Sequence, residues 1–473
     1  MALKKHSISI RGHRTSFSLE DEFWQKLQSI AHERHVPVAQ LITQIDAKRS
    51  ADQNLSSALR VFILRDALSQ EPQMTQQDAG PLSGVRIIDL TSVVSGPLGT
   101  MALGDQGADI IKVEMPQGDF TRHVATHRGG FSASFINNNR NKRSIVLDLK
   151  TSLGKEALFA LIGDADVFVQ NLRPGVMERL GLGYEVISKV NPHIIYASVA
   201  GFGFEGPYAK KPVYDPLIQA VSALTSVQAG SDEERPKLVR TILPDKLTGI
   251  QLSQAIAAAL YSRERTGEGQ QIHISMLDTI IAFLWGSDMG GHTFVGSECK
   301  TEQAQSFIDL IYEVADGFVS IAVMQDKQWN AFCDAIGNDA LKRDPRFASA
   351  VLREKNKDAR LQAIQDAVIN FEREDLIATL EAKDVPCAPV LTRTQMRQHP
   401  QVAANKILQE YDHPEAGRLR QSRHPAVFSK ATHAPPRPAP ALGEHTEEVL
   451  REVGISEEKI TEILKMIPKT AKR

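Results

Sequence analysis

The sequence predicts an α/β protein whose large domain is built on a mostly parallel, doubly wound, Rossmann-like sheet. The chain has 473 residues, more than one hydrophobic core usually supports, so two or three domains are expected. From Val85 onwards, short β-rich runs alternate with helical stretches, as in βαβ units. Residues 71–80 are rich in glutamine and contain Pro72, which indicates a linker after a small amino-terminal module.

The amino-terminal module spans residues 1–70. Residues 6–17 alternate like one strand, and Ser18 is expected to cap a helix with acidic residues in its first turn. A second helix is predicted after Pro37 and a third over residues 55–68. This order of elements, together with the segment SIRGHRTSFSLE at 9–20, resembles the opening of a ribbon-helix-helix domain.

Residues 1–18 contain Lys4, Lys5, Arg11 and Arg14 and no acidic residue. Ribbon-helix-helix dimers insert a two-stranded ribbon into the major groove, so this basic strand is compatible with DNA binding. The same residues are also compatible with a solvated basic face on a dimerisation or enzyme-docking module. The sequence leaves these alternatives open.

The large domain is expected to begin at 81, to be interrupted by a small α+β domain at 291–400, and to resume over 401–473. Strands are predicted at 85–90, 109–114, 144–149, 166–172, 193–199 and 271–275, and helices at 252–263 and 276–285. The small domain should contain a strand at 318–323 and helices near Trp329 and Leu361. A proline-rich tract at 434–440 then precedes a helix at 445–453.

Composition excludes several classes of protein. Hydrophobic residues make up 42% of the chain and charged residues 24%, and no apolar run approaches the roughly 20 residues of a membrane span. The amino terminus lacks the apolar core of a secretory signal, so a cytoplasmic location is expected. Cys299, Cys333 and Cys387 are widely spaced, which suits reduced thiols and predicts no metal site.

Seven segments carry a resemblance to the class III CoA-transferases (CaiB/BaiF, formyl-CoA transferase-like), and this resemblance spans residues 81–464. The resemblance implies a smaller inserted domain and an interlocked homodimer. It also implies acyl-CoA and a free carboxylic acid as substrates, and no tightly bound cofactor. The segments are PLSGVRIIDL at 81–90, GP at 96–97, GDQGADIIKVE at 104–114, NRNKRS at 139–144, NLRPGVMERLG at 171–181, TGEGQ at 266–270 and LGEHT at 442–446.

The resemblance implies that Asp245 is the acyl-accepting nucleophile. An aspartate between a strand-like run and a helix is by itself more often a helix cap. A carboxylate can nevertheless split CoA transfer into covalent steps by taking the acyl group as a mixed anhydride. It must be ionised and close to backbone donors, which we expect from Thr248 and Gly249 at the start of the following helix. Lys246 could compete by pairing with it.

The main alternative within the family is a 2-methylacyl-CoA racemase. Racemases resemble this chain but carry a His-Asp pair where Val213, Tyr214 and Asp215 stand, and a glutamate where Gln325 stands. A proton shuttle needs a base on each face of the substrate, which these residues do not supply. The resemblance therefore favours a transferase in which Tyr214 and Asp215 orient the acyl group. Without the resemblance, Tyr214 would be interpreted as a tyrosine at the end of a strand and Asp215 as an aspartate in a turn.

The family motifs imply that Asn171, Leu172 and Arg179 contact CoA and that Arg143 lies near the nucleotide phosphates. Other expected cations are missing, since Met115-Pro116 and Pro212-Val213 stand where formyl-CoA members have an arginine and a lysine. Lys210 or Lys211 could substitute. The family's glycine run is reduced to residues 290–292.

Residues 201–206 match G-x-G-x-x-G after a predicted strand, but Pro207 and Pro212 follow, so no helix opens towards a pyrophosphate. We expect a loop over the acyl site rather than a dinucleotide site. A third hypothesis, from a different class, is a DNA-binding regulator that uses a transferase body as a CoA-thioester sensor.

Overall fold

The computed structural model describes residues 4–10, 13–33, 36–49, 54–69, 80–296, 308–431 and 435–467. The chain divides into two compact units, residues 1–79 and residues 80–473. The predicted linker at 71–80 lies outside the described residues except for Gly80.

The amino-terminal unit is a β-hairpin followed by helices. Its strands pair antiparallel, with Lys4 opposite Leu19, so the prediction of one strand over residues 6–17 is wrong. Ser18 lies in the second strand and its N–H donates to the Ser56 hydroxyl at 2.9 Å, so Ser18 is not the helix cap. The described elements are β1 (Lys4–Ile10), β2 (His13–Leu19), α1 (Asp21–Glu33), α2 (Val38–Lys48) and α3 (Leu55–Ser69).

The hairpin and the three helices enclose a small core of their own. Leu19, Leu27, Ile42 and Leu59 are fully buried in it. Arg60 on α3 makes a two-pronged ion pair with Glu20 just before α1, at 2.9 and 3.0 Å, which ties the third helix to the start of the first. Arg11 and the side chain of Arg14 lie outside the described residues.

The second unit opens with alternating strands and helices. Predicted and observed strands agree within two residues at their starts. The elements are β3 (Arg86–Asp89), α4 (Ser95–Gly104), β4 (Asp109–Glu114), β5 (His127–Arg128), β6 (Phe131–Ser132), α5 (Ala133–Asn139), β7 (Lys142–Val146), α6 (Ser152–Gly163), β8 (Val167–Gln170), α7 (Val176–Leu180), α8 (Tyr184–Val190), β9 (Ile195–Ala200), α9 (Asp215–Val221), α10 (Leu224–Ala229), α11 (Leu243–Thr266), β10 (Gln270–Ser275), α12 (Met276–Trp285) and α13 (Gly290–Thr293).

Within residues 80–296, six strands form one sheet in the order β10-β9-β8-β3-β4-β7, and every neighbouring pair is parallel. The chain therefore winds outward from β3 in one direction to β7, returns to β8 beside β3, and winds outward in the other direction. This is the doubly wound order, and the predicted fold class is confirmed. Ligands of such sheets bind at the carboxyl ends of the strands where the winding reverses, here between β3 and β8.

The helix that carries Asp245 begins earlier than the sequence predicts. The sequence predicted a helix over 252–263, with Thr248 and Gly249 at its start, whereas α11 begins at Leu243, and residues 235–242 form no strand. Pro244 lies in the first helical turn, where its missing N–H and fixed φ are tolerated. The apolar residues before Asp245 therefore belong to helix or irregular backbone rather than to a strand.

The rest of the unit contains a second core and a return to the first. Strands β11, β12 and β13 form an antiparallel sheet whose core includes Trp329, Phe332 and Leu361. Later, α21 and α22 bring Val449 and Ile460 into the core of the parallel sheet. The elements are β11 (Ile311–Val314), β12 (Gly317–Ile321), α14 (Asp326–Ala335), α15 (Asp339–Lys342), α16 (Ala350–Lys355), α17 (Lys357–Val368), α18 (Arg373–Glu381), β13 (Cys387–Pro389), α19 (Arg393–Met396), α20 (Pro400–Ala404), β14 (Leu408–His413), β15 (Gly417–Ser422), α21 (Thr446–Glu452) and α22 (Glu457–Leu464).

A search of the described ranges finds no helix with the length and apolar character needed to cross a bilayer.

Candidate active site

Helices α4 and α11 approach each other closely through two glycines. A Cβ on Gly99 would lie 2.7 Å from the Gly249 carbonyl oxygen, and one on Gly249 would lie 2.7 Å from the Ser95 carbonyl oxygen. No larger residue fits at either position without displacing backbone. The contact brings the first turn of α11, with Asp245, against Ser95 at the amino-terminal end of α4, beyond the carboxyl end of β3.

Asp245 is a partly buried carboxyl group with a strongly shifted pKa. Burial and the neighbouring Asp215 carboxyl raise its pKa to about 6, while hydrogen bonding from the Ser95 amide and hydroxyl acts in the opposite direction. At pH 7 a group with this pKa is about nine-tenths ionised. Asp245 is therefore a carboxylate at neutral pH, but a more basic and less solvated one than an exposed aspartate.

Asp215, at the start of α9, holds the beginning of α11 in place. Its side chain is 3% exposed and accepts a hydrogen bond from the Asp245 N–H at 3.3 Å, one of the amides that α11 leaves without an intrahelical partner. The Gln219 amide donates to its other oxygen at 2.7 Å. Burial raises the pKa of Asp215 against these bonds and the nearby Lys246. The predicted turn aspartate thus acts as a cap supplied by another helix.

Gln219 links Asp215 to the segment that leads into α11. Its carbonyl oxygen accepts from the Val239 N–H at 3.0 Å, and its amide reaches the Val239 and Thr241 carbonyls at 3.4 and 3.3 Å. The Lys246 ammonium donates to the Thr241 hydroxyl at 2.8 Å, and no ion pair joins it to Asp245 within the described residues. The expected competition from Lys246 is therefore not seen.

Thr248 and Gly249 do not supply the donors predicted for Asp245. They lie in the second turn of α11, where backbone amides bond within the helix, and the Thr248 hydroxyl donates to the Pro244 carbonyl at 2.7 Å. The groups that lower the pKa of Asp245 are instead the amide and hydroxyl of Ser95 at the start of α4. The family segments include Gly96-Pro97 but not the residue before it, Ser95, which begins the helix that follows β3.

Tyr214 is 71% exposed immediately before α9.

Asn171 and Leu172 directly follow β8, beside the loop after β3. Both polar atoms of the Asn171 amide bond the Ser92 backbone, at 2.8 and 3.0 Å, so this side chain ties the two strand ends together. Arg179 on α7 is exposed, and its guanidinium makes no hydrogen bond or ion pair in the part of the chain that the structure describes.

Arg143 does not lie where nucleotide phosphates were expected. It is 5% exposed, and its three nitrogens bond Asp109, Glu448 and Glu452 at 2.6 to 3.1 Å. Asp109 is the first residue of β4, so this cluster lies at the amino end of the parallel strands. The crevice at the carboxyl ends lies at the opposite ends of the strands. In this structure Arg143 joins β4 to α21 through its ion pairs.

Three other expectations can be located. Gln325 caps α14 in the small domain, in a reciprocal capping box with Gln328. Residues 201–206 form an irregular loop after β9, and the next helix starts only at Asp215. The pattern G-x-G-x-x-G therefore lacks the helix that follows it in a dinucleotide-binding site. Residues 290–292 lie in the one-turn helix α13 rather than in a glycine loop.

Over the described ranges, no group of three or more His, Cys, Asp or Glu side chains is arranged to hold a metal ion. Cys333 is buried and Cys387 partly buried, while Cys299 lies outside the described residues.

Comparison with known proteins agrees with this architecture. The model of CoA-transferase family III matches residues 82–446, and the model of a ribbon-helix-helix domain matches residues 3–67. The acetyl-CoA:oxalate CoA-transferase of Acetobacter aceti is 35% identical over 384 residues, which cover 80% of this chain and 97% of that enzyme. The formyl-CoA:oxalate CoA-transferase of Rhodopseudomonas palustris is 32% identical over 409 residues, covering 81% and 96%.

Solved structures give the same result. A CaiB/BaiF family protein from Brucella suis superposes with a TM-score of 0.70 at 31% identity, over 79% of this chain and 99% of that one. Rv3272 from Mycobacterium tuberculosis superposes with a TM-score of 0.69 at 30% identity, over 78% and 99%. The chain belongs to CoA-transferase family III, and it is an enzyme of that family with an amino-terminal ribbon-helix-helix domain. The predictions of family and enzyme class are confirmed.

The pKa of Asp245 predicts the pH dependence of CoA transfer. If Asp245 is the nucleophile that the family resemblance implies, only its carboxylate is active, so kcat/KM should fall about tenfold per pH unit below about pH 6 and be flat above it. Ser95→Ala removes one group that favours the ionised form, so the midpoint of the acid limb should move up by about one pH unit. Ser253→Ala, on the exposed part of α11, is the control and should leave the midpoint unchanged. A midpoint near 4 in the wild type would contradict this assignment.

Proposed function

We propose that this enzyme moves CoA from an acyl-CoA donor to a free carboxylic acid through a covalent intermediate on Asp245. The supporting observation is the position of this carboxylate, at the first turn of α11 against the amino-terminal end of α4, where the winding of the parallel sheet reverses. The relatives named as CoA-transferases support the same reaction class.

The reaction balances in four steps. An Asp245 oxygen attacks the thioester carbonyl carbon. The CoA thiolate departs, and the product is an acyl-aspartyl mixed anhydride. The thiolate attacks the aspartyl carbon of that anhydride, which releases the donor as its carboxylate and leaves an aspartyl-CoA thioester. The acceptor carboxylate attacks this thioester, forming a second anhydride and freeing the thiolate. The thiolate then attacks the acceptor's acyl carbon, giving the new acyl-CoA and the free Asp245 carboxylate.

The site's electrostatics suit this sequence. Each attack places negative charge on the oxygen of the attacked carbonyl group, and we propose that the amide and hydroxyl of Ser95, which favour the ionised form of Asp245, stabilise that charge. The raised pKa makes Asp245 a stronger nucleophile than a solvated aspartate while keeping it mostly ionised at pH 7. Asp215 and Gln219 fix the start of the helix that carries it.

For CoA we propose a path past Leu172 and Arg179, on the carboxyl side of β8. Leu172 is partly exposed, and its N–H is held by the Gln170 side chain at 2.8 Å. The exposed Arg179 guanidinium can pair with phosphate oxygens. Asn171 contributes by joining the strand ends rather than by a free side chain, and we propose that Tyr214, exposed immediately before Asp215, contacts the acyl group.

Trapping tests the covalent step. Incubation with an acyl-CoA followed by hydroxylamine should convert Asp245 to a hydroxamate, which peptide mass spectrometry detects as a modified tryptic fragment. Asp245→Asn should lose both the label and CoA transfer, whereas the exposed Asp232→Ala should keep both. An unlabelled Asp245 in an active wild-type enzyme would falsify the covalent mechanism. Deuterium exchange at the α-carbon without an acceptor acid would instead support the racemase alternative.

We further infer a homodimer. Helices α9, α11 and α12 pack on one another, and each leaves large apolar side chains exposed, among them Leu217, Tyr261, Phe283 and Trp285. A monomer rarely leaves so much apolar surface in water. A second copy, in the interlocked arrangement that the family resemblance implies, would cover it.

The dimer is tested by light scattering after gel filtration. Phe283→Asp places a charge in the proposed interface and should halve the apparent mass at micromolar concentration. Val351→Asp changes an equally apolar and more exposed side chain in the small domain and should leave the mass unchanged. A wild-type chain that elutes as a monomer would contradict the dimer.

A second candidate function belongs to the amino-terminal domain, whose match to the ribbon-helix-helix model favours binding of duplex DNA. In this structure the two strands of the ribbon come from one chain, which makes the hairpin itself the element to enter a groove.

The DNA-binding hypothesis predicts salt-sensitive retention of duplex DNA by the full chain, because neutralised phosphates release counterions. Changing Arg11 and Arg14 together to Ala should weaken retention and reduce its salt dependence by about two counterions. Changing Arg343 and Arg346 in the small domain removes the same charge and is the control. Equal retention by both double variants would leave DNA binding without support.

A further inference from the structure

The loop between β3 and α4 contains a residue in an unfavourable backbone conformation. Val93 has φ = 72°, in the left-handed region that β-branched residues rarely occupy. Such conformations persist only where the surroundings fix them, and they concentrate at functional sites. Val93 lies two residues before Ser95, whose backbone carbonyl packs against Gly249 in the helix that carries Asp245, since a Cβ on Gly249 would lie 2.7 Å from that oxygen.

A buried ion pair holds Val93 from one side. The Val93 N–H donates to Asp119 at 3.3 Å, and the other oxygen of Asp119 accepts from the Lys112 ammonium at 3.0 Å. The same ammonium donates to the Thr91 carbonyl at 2.8 Å. Lys112 is fully buried and Asp119 almost so, which makes both contacts strong and removal of either partner costly.

The two residues before Val93 are held as firmly. The Thr91 N–H donates to Asp89, the last residue of β3, at 2.8 Å. Asn171 binds both the N–H and the carbonyl of Ser92. Side chains from β3, from β4 and the segment after it, and from the end of β8 therefore fix three consecutive residues, which is what a strained residue requires.

The loop transmits this geometry to the helix that follows it. A Cβ on Gly96 would lie 2.3 Å from the Thr91 side chain, so the first turn of α4 rests directly on the loop. If Val93 relaxed to a negative φ, the chain would leave the loop in another direction. The Ser95 amide would then turn away from Asp245.

We propose that Asp119 and Lys112 are positioning residues for CoA transfer. They hold Val93 in its left-handed conformation and thereby keep Ser95 next to the Asp245 carboxyl group. This inference rests on the proposed role of Asp245. A merely stabilising ion pair is the competing explanation, and it is a weak one, since burying an ion pair often adds little net stability.

Glycine adopts positive φ without a steric penalty, and this gives a direct test. Asp119→Ala should lower the single-turnover rate of acyl transfer about tenfold, by misplacing donors at the reacting carbonyl. It should also move the acid limb of the pH profile upward. Adding Val93→Gly removes the strain that Asp119 opposes, and most of both effects should be recovered. Asp215 from α9 and Lys246 from α11, the charged groups nearest the site, are unchanged throughout.

Lys406→Gly is the matched control, because Lys406 also has positive φ, at 50°, but lies near β14 outside this loop. Combined with Asp119→Ala it should recover nothing. Equal results for the two glycine substitutions, or an unchanged acid limb in Asp119→Ala, would overturn the inference. If Asp119→Ala does not fold, Asp119→Asn replaces it, and the same recovery by Val93→Gly is required.

The hydroxylamine label on wild-type Asp245 distinguishes failure of the proposed covalent mechanism from failure of the positioning role. A wild type without label removes the proposed function itself. A labelled wild type whose Asp119 variants are not recovered by Val93→Gly removes only the positioning role.

Discussion

The close contact between α4 and α11 is the constraint on which the rest of the site depends. Two glycines, Gly99 and Gly249, let the helices approach until backbone meets backbone. That distance allows a carboxylate on one helix to meet donors at the amino-terminal end of the other. Asp215, Gln219 and the loop after β3 then fix the two helix ends that meet there. The Asp245 carboxyl group is thus placed by the packing of α11 on α4.

Much of this could be predicted from sequence because it is locally encoded. The strands of the parallel sheet have continuous apolar runs, which gave their positions within a few residues, and the motifs gave the family. Arg143 shows what local pattern cannot supply. Its neighbours in the chain match a family motif, but its partners Glu448 and Glu452 are about 300 residues away, and only the register of β4 and β7 puts it at the amino end of the sheet.

Ser95 and Asp215 show the same limit from the other side. The donors for Asp245 were sought in its own helix, because a helix start after an irregular segment is the nearest source in sequence. The group that lowers the pKa of Asp245 belongs to a helix about 150 residues earlier, and the side chain that caps α11 lies 30 residues earlier. Long-range capping leaves no periodic signal. The serine at the start of α4 and the acid at the start of α9 become informative only when the sheet order is known.

The site also has a cost for the fold. The pKa of Asp245 is raised from an ordinary 3.8 to about 6, so the folded protein binds this proton more tightly than the unfolded chain does. Its contribution to stability is therefore full below about pH 3.8 and is lost as the pH rises through about 6. At neutral pH the folded state carries an ionised, partly desolvated carboxylate beside a second buried one. Hydrogen bonds of Asp215, Val93 and Asn171 stabilise the helix start and the loops around this carboxylate, and that stabilisation counts against its cost.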